Sequence, residues 1–177
     1  MRHPPRDLVG LLALSFALAS ILGCRNDPVP QQIIDALPAE VDSPSAMHRP
    51  GEPCLACHTD YEGAAPKLAA GGTIFSVNDA GVGVPAVGVL VVINDSAGDS
   101  RSACTNAAGN FFIKSDDWAE VAFPLRVRAG NRAMRSLIGR DGSCASCHKL
   151  SGPAHDSAGV VLVEESAPDP LCGGAAP

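Results

Sequence analysis

The pattern Cys-x-x-Cys-His occurs twice in this chain, as CLACH at Cys54–His58 and, ninety residues later, as CASCH at Cys144–His148. Four of the seven cysteines and two of the five histidines go into it. Two thiols at a short fixed spacing, with an imidazole directly after the second, form a ligand set, and a chance repeat of it in 177 residues is not credible. Any fold assigned to the chain has to present this set in two places.

The N-terminus sets the compartment. MRHPPRD carries two arginines, and a nearly unbroken apolar run follows from Leu8 to Gly23. A basic start and a short apolar stretch read as a secretory signal rather than a spanning helix. The run ends in ILGC and resembles the lipobox of bacterial lipoproteins, although Leu22 stands where that family usually has a small residue. The resemblance implies cleavage before Cys24, which becomes the lipid-bearing residue and anchors the chain to the bacterial cell envelope. Arg25, in place of the usual retention aspartate, points to the outer membrane. The alternative is an ordinary signal peptide that leaves Cys24 as a spare thiol. Either route delivers the other six cysteines to an oxidising compartment, where thiols are paired or ligated.

Without residues 1–23 the chain keeps 11 basic and 18 acidic residues, a net of −7. That balance excludes a nucleic-acid surface, which needs clustered positive charge. Residues 25–46 hold four prolines without sustained periodicity and read as a tether. From Gly71 onward the pattern is that of strands: GGTIFSV, AVGVLVVIND, RSACTNA, NFFIK, VAFPLRVRA, NRAMRSLIG and, after the second motif, GVVLVEE. Gly, Asn or Asp mark most of the breaks. Seven short strands without helical periodicity predict an all-β sandwich.

The stretch GGTIF…GVGVPAVGVLVVIND…TNAAGNFFI…FPLRVRAG resembles the carboxypeptidase regulatory-like domain, a transthyretin-like β-sandwich. Gly72, Gly81, Pro85 and Thr105–Phe111 carry the likeness, over about Gly71–Gly139 and again from Gly159. Gly109 is expected in a tight turn at positive φ, with Phe111 returning to the core. The resemblance implies a scaffold and leaves activity open. If successive strands alternate in direction, CLACH before the first strand and CASCH between the sixth and seventh fall at one end of the sandwich.

The two pentapeptides resemble the attachment motif of c-type cytochromes. That likeness implies two covalent haems c: Cys54 and Cys57 bound to one with His58 as its proximal ligand, and Cys144, Cys147 and His148 serving the second. Two other readings stay open. The four thiols form one zinc site, although zinc has no use for a histidine after each pair, or they form disulfide staples within or across the motifs. Haem would be only partly wrapped here, because hardly a dozen residues separate CLACH from the first strand. Besides the motif histidines, the exported chain has only His48 and His155, each within a few residues of a motif. They are the candidate sixth ligands, against the alternative that both are solvated loop residues. Met47, Lys67 and Lys149 are substitutes, and Met134 is expected in the core.

Cys104 and Cys172 remain, either as a disulfide pinning the C-terminal tail or as a buried small residue and an unrelated exposed thiol. Arg126, Arg128, Arg132, Arg135 and Arg140 read as a solvated strand face, with haem propionates as the competing partners. Trp118 and Tyr61 read as packing residues. No Ser/His/Asp order, phosphate-binding glycine loop or paired-carboxylate signature is present.

The expected organisation is a lipoprotein signal at 1–23, a tether at 24–46 and a first haem-binding segment at 47–70. The sandwich at 71–166 carries the second haem-binding loop at 141–156, and a tail follows at 167–177. The expected function is a membrane-anchored di-haem cytochrome that passes electrons to a redox partner protein in the envelope and is not an enzyme. The rival is a structural or adhesion sandwich with stapled cysteines, and a peroxidase with one open haem ranks third.

Overall fold

The computed structural model describes residues 31–40, 43–59, 63–150, 153–154, 157–164 and 168–173. The signal segment, Cys24, Tyr61 and His155 lie outside the described residues. Among those described, no helix is long and apolar enough to cross a membrane.

Leu68–Val77 forms β1, the longest strand and the one on which both motifs are assembled. In chain order follow β2 (Gly83–Pro85), β3 (Leu90–Asn94), β4 (Ser100–Cys104), β5 (Asn110–Lys114), β6 (Arg126–Ala129), β7 (Arg132–Ala133), β8 (Pro153–Ala154), β9 (Ser157–Ala158) and β10 (Val161–Val163). Among the described residues the α-helices are two short ones, α1 (Gln31–Asp35) in the tether and α2 (Cys54–Cys57) in the first motif. The protein is all-β. One sheet has β1 at its centre, with β5 and β2 antiparallel and β10 parallel to it. The other is the antiparallel order β4-β3-β6-β7, and β8 and β9 make a two-stranded ribbon.

Period-two patterning explains the inner faces. In β3, Val91 and Ile93 point inward while Val92 and Asn94 do not, and in β5 Phe111 and Ile113 do the same beside Phe112. These side chains join Ile74, Trp118 and Leu125 in one core that draws on both sheets. Each fully buried large apolar side chain contributes about 1.5–3 kcal/mol. Gly109 sits at φ +76, in a turn whose amides at Ala108 and Asn110 are capped by Asn106 Oδ1. Phe111 follows at 1% exposure. Met134 is half-buried and stands outside the core.

The strand count differs from the seven expected, since the described residues hold ten. The run from Ala86 to Asp95 is not one strand. Ala86 N–H still bonds Ile74 O in the first sheet, whereas Val89 N–H goes to Thr105 Oγ1 after β4 of the second. The chain crosses between sheets at Gly88, at φ +69. β-Branched residues suit both sheets, so composition hides the break. The run Asn131–Gly139 shrinks to β7: past it Met134 N–H still bonds Val127 O of β6 at 2.9 Å, and Ile138 returns in an isolated bridge to Leu125.

Candidate haem-binding site

Each motif folds as one tight turn, and the two turns repeat the same bonds. In the first, His58 N–H donates to Cys54 O at 3.0 Å and Ala64 N–H to Cys57 O at 2.7 Å. In the second, His148 N–H donates to Cys144 O at 2.9 Å and Ala158 N–H to Cys147 O at 2.9 Å. Pro53 leads into α2, and Asp141 prepares the second turn by accepting from Ser143 N–H at 2.8 Å and from Ser146 Oγ at 3.2 Å. In the first motif an α-helical turn of about 3.6 residues puts positions i, i+3 and i+4 on one side, so both thiols and the imidazole share a face. In the second a 3-10 turn brings Cys144 and Cys147 in line, with His148 next along the chain.

The imidazoles are oriented alike. His58 Nδ1 lies 2.9 Å from Pro66 O and His148 Nδ1 lies 2.8 Å from Gly159 O. A carbonyl can only accept, so each ring donates through Nδ1–H and carries its lone pair on Nε2. This is the orienting bond that a metal-ligating histidine needs.

Both turns rest on the first half of β1. A methyl group built on Gly71 would lie 3.6 Å from Leu55 Cδ1, and one on Gly72 would lie 2.6 Å from Cys144 Cβ. Ser143 bridges Gly71 in parallel, and Gly71 N–H bonds Gly142 O at 3.0 Å. The placement at one end follows from β10 running parallel to β1, with Ile74 opposite Val161, so the segment leading into β10 starts where β1 starts. Burial raises the Cys54 thiol above its ordinary value, opposed by a backbone hydrogen bond and reinforced by Cys57 and Glu52. Burial also pushes Cys144 up to about 12, with Cys54, Asp141 and Cys147 adding to it. Both are therefore neutral thiols at physiological pH. Ser143 Oγ, buried at the junction, has no hydrogen-bond partner among the described residues.

A cavity of about 670 Å³ opens beside the first motif. Cys54, Cys57 and His58 line it together with Leu68, Phe111, Phe112 and Pro66, and its size suits a large organic cofactor. His48 lines it as well, its ring centroid 5.8 Å from that of His58 and the planes 31° apart. Of the two positions the sequence allows for His48, beside its own motif or beside the other, the structure shows the first. His48 Nδ1 lies against the Ser45 carbonyl and also faces Ser45 N–H at 3.3 Å, so Nδ1 is the ring nitrogen turned toward the strap's own backbone.

Cys54, Cys57, Cys144 and Cys147 are unpaired, while Cys104 and Cys172 form a disulfide. Among the described residues no three His, Cys, Asp or Glu side chains converge to hold a metal ion. Met47 is 48% exposed, and Lys67 Nζ is bonded to Gly63 O. None of the five clustered arginines lines the large cavity. The cations on its wall are Arg49 and Lys114, which sequence reasoning missed, although Arg49 directly follows His48. Arg140 lines a smaller cavity of about 400 Å³ with Trp118, and Arg132 pairs with Glu164 at 3.5 Å.

No family model, no curated protein and no solved structure matches the chain.

Proposed function

We propose that the chain is a di-haem c-type cytochrome, lipid-anchored through Cys24 in the bacterial cell envelope, which passes electrons to a redox partner protein there. The observation that carries this reading is the set of matching backbone bonds in the two turns, each with an Nδ1-anchored imidazole directly after its second cysteine. Cys54, Cys57 and His58 fit a first haem and stand on the wall of a cavity large enough for one. Cys144, Cys147 and His148 fit a second, and the Ser143 hydroxyl, without a partner among the described residues, is a donor next to Cys144.

A haem held at each turn supplies a one-electron iron centre. The chain's own residues do the rest. The cysteine thiols provide the covalent attachment, for which they must arrive reduced, and burial keeps Cys54 and Cys144 as neutral thiols, which oxidise more slowly than thiolates. Pro66 O and Gly159 O orient His58 and His148, and His48, its ring centroid 5.8 Å from that of His58, would supply a second imidazole to a haem held there. Leu68, Phe111 and Phe112 give the first cavity an apolar wall. His155 is the proposed sixth ligand of the second iron. The sandwich is proposed to be of the carboxypeptidase regulatory-like kind, supported by the Gly109 turn and the buried Phe111.

The rival is an envelope adhesion domain with stapled cysteines. It predicts paired motif cysteines, whereas the only disulfide among the described residues joins Cys104 to Cys172. Expression with a cytochrome c maturation system separates the two. The cytochrome is red, keeps its haem stain through denaturing electrophoresis, and carries two haems per chain. Replacing Cys54 and Cys57 with Ala should leave one. Colourless protein of unmodified mass would eliminate the cytochrome.

A further inference from the structure

His48 reaches the cavity on a strap, Ser45–Gly51, that is tied to the sandwich by a buried polar pair. Thr73 in β1 and Asn110 in β5 are register partners, each 6% exposed. Thr73 Oγ1 donates to Asn110 Oδ1 at 2.7 Å and accepts from Gly51 N–H at 2.6 Å. Asn110 Nδ2 donates to His48 O at 3.0 Å and reaches Ala46 O at 3.4 Å. Asn106 Nδ2 adds a bond to Ala46 O at 2.7 Å. The strap is therefore gripped on both sides of His48 and at its own carbonyl.

The backbone inside this grip is unusual. Arg49 has φ +48, the only non-glycine residue in the left-handed region among the described residues, and Gly51 follows at φ +82. A side-chain-bearing residue keeps that conformation only where its surroundings over-determine it. Here those surroundings are the Thr73–Asn110 pair, the Arg49–Glu40 ion pair at 3.6 Å and the bond from Arg49 Nη1 to Pro38 O at 2.9 Å. A sandwich interior has no need of a polar cross-strand pair, since an apolar one packs there without having to find bonds. The pair earns its place through what it holds outside the sheet.

We propose that Thr73 and Asn110 are positioning residues for His48, setting the strap so that its ring stands opposite His58 and closes the first iron. The proposal rests on the reading of the first cavity as a haem site with His48 as its sixth ligand. A strap free of the grip would spend part of its time with His48 withdrawn, and an exogenous ligand would gain the fraction of sites left open.

The test uses the full haem-loaded chain, reduced, and reads spin state, carbon monoxide binding and covalent haem content. His48→Ala defines the spectrum of an open first iron. Thr73→Val and Asn110→Asp should each raise the carbon monoxide-reactive fraction at one iron on the order of 10- to 100-fold toward that limit, with two haems still attached. Thr73→Ser, which keeps the hydroxyl, should stay low-spin, and this rescue separates hydrogen bonding from packing. If Thr73→Val and Asn110→Asp keep the parent spectrum while His48→Ala opens the site, the positioning role is wrong and the haem reading stands. If His48→Ala leaves the spectrum unchanged, His48 is no ligand and the proposal falls. A parent chain without covalent haem removes both. Should the buried variants not fold, Asn106→Asp keeps the Oδ1 cap of the Gly109 turn and loses only the donor to Ala46. A smaller rise in the same direction then supports the proposal, and none overturns it.

Discussion

Cys144 is seated on Gly72: a methyl group added to that glycine would lie 2.6 Å from the cysteine Cβ and 2.9 Å from its Sγ. The second motif can reach β1 only because position 72 has no side chain. Gly72→Ala should push the turn at Cys144 off the strand while leaving the first motif, which meets β1 through Leu55 and Gly71, in place. Overpacking of this kind costs about 1–3 kcal/mol. The haem content should fall from two toward one per chain, read by mass and by haem stain. Retention of two haems at parental stability would show that the turn has another seat.

In haem-free protein the two thiols of the second motif should react very differently. Cys147 is exposed, whereas burial pushes Cys144 up to about 12. The thiolate is the reactive form, so at pH 8 alkylation of Cys144 should lag that of Cys147 by at least roughly a hundredfold. A thiol whose folded value is raised stabilises the fold below its ordinary value of about 8.5 and loses that contribution as pH climbs toward the folded one. Alkaline unfolding should therefore be less steep in Cys144→Ser. Mass-resolved labelling and a pH series of melts check both, and equal labelling rates would contradict the buried thiol.

The parts of this arrangement that were legible in the sequence are local. The CxxCH turns need only their own residues and a preceding Pro53 or Asp141. The alternation of β3 and β5 shows directly in LVVIN and NFFIK. The one-end placement of the motifs holds because β1 and β10 are parallel. Strict alternation over ten strands would set them antiparallel, so the expectation reached the right end through a count the structure does not keep. What could not be read is long-range. His48 meets Asn110 across 62 residues, and neither residue type announces the other. Gly72 reads as an ordinary strand glycine until Cys144 is seen against it. Gly88 looks like a break in a single strand, whereas it is where the chain changes sheets and where Pro168 packs, 2.6 Å from a built methyl group.

Asp95 ends the run from Ala86 and organises the loops beyond it. Burial works against its charge, but backbone hydrogen bonds from Ala122, Asp99, Ala97 and Gly98 outweigh that and hold the carboxyl below its ordinary value. A lowered carboxylate contributes stability above its unfolded value near 3.9, and that contribution is lost as pH falls through the folded one. Asp95→Asn should melt earlier than the parent at pH 7 and lose less on acidification to about pH 3. Thermal melts over that range decide it, and parallel curves would assign the acid sensitivity elsewhere.

The Cys104–Cys172 disulfide closes a loop of 68 residues and ties the tail to the end of β4. The tail is otherwise held by Asp169 N–H on Gly88 O at 2.8 Å and by the cap from Asp169 to Leu171 N–H. Loop-closure entropy for that length sets a ceiling of about 4.4 kcal/mol, and the loss on replacing both cysteines with serine should fall at about 2–4 kcal/mol, the range usual for a disulfide. Denaturant titration of the double variant measures it. The haem content should not change, because neither cysteine belongs to a motif.

His148 depends on Gly159, whose φ of +72 presents the carbonyl that accepts from Nδ1–H. An alanine there is strained in that conformation and should relax by turning the carbonyl away. An imidazole that donates through Nδ1–H is a more basic ligand and favours the oxidised iron, so loss of the bond should raise the midpoint potential of the haem it serves. His58 takes its bond from Pro66 O, on a different segment, and should be untouched. A potentiometric titration of Gly159→Ala should therefore show one of two steps moving upward and the other unmoved. Movement of both steps would mean that the substitution acts through the shared seat on β1, and movement of neither would mean that the Gly159 carbonyl does not tune His148.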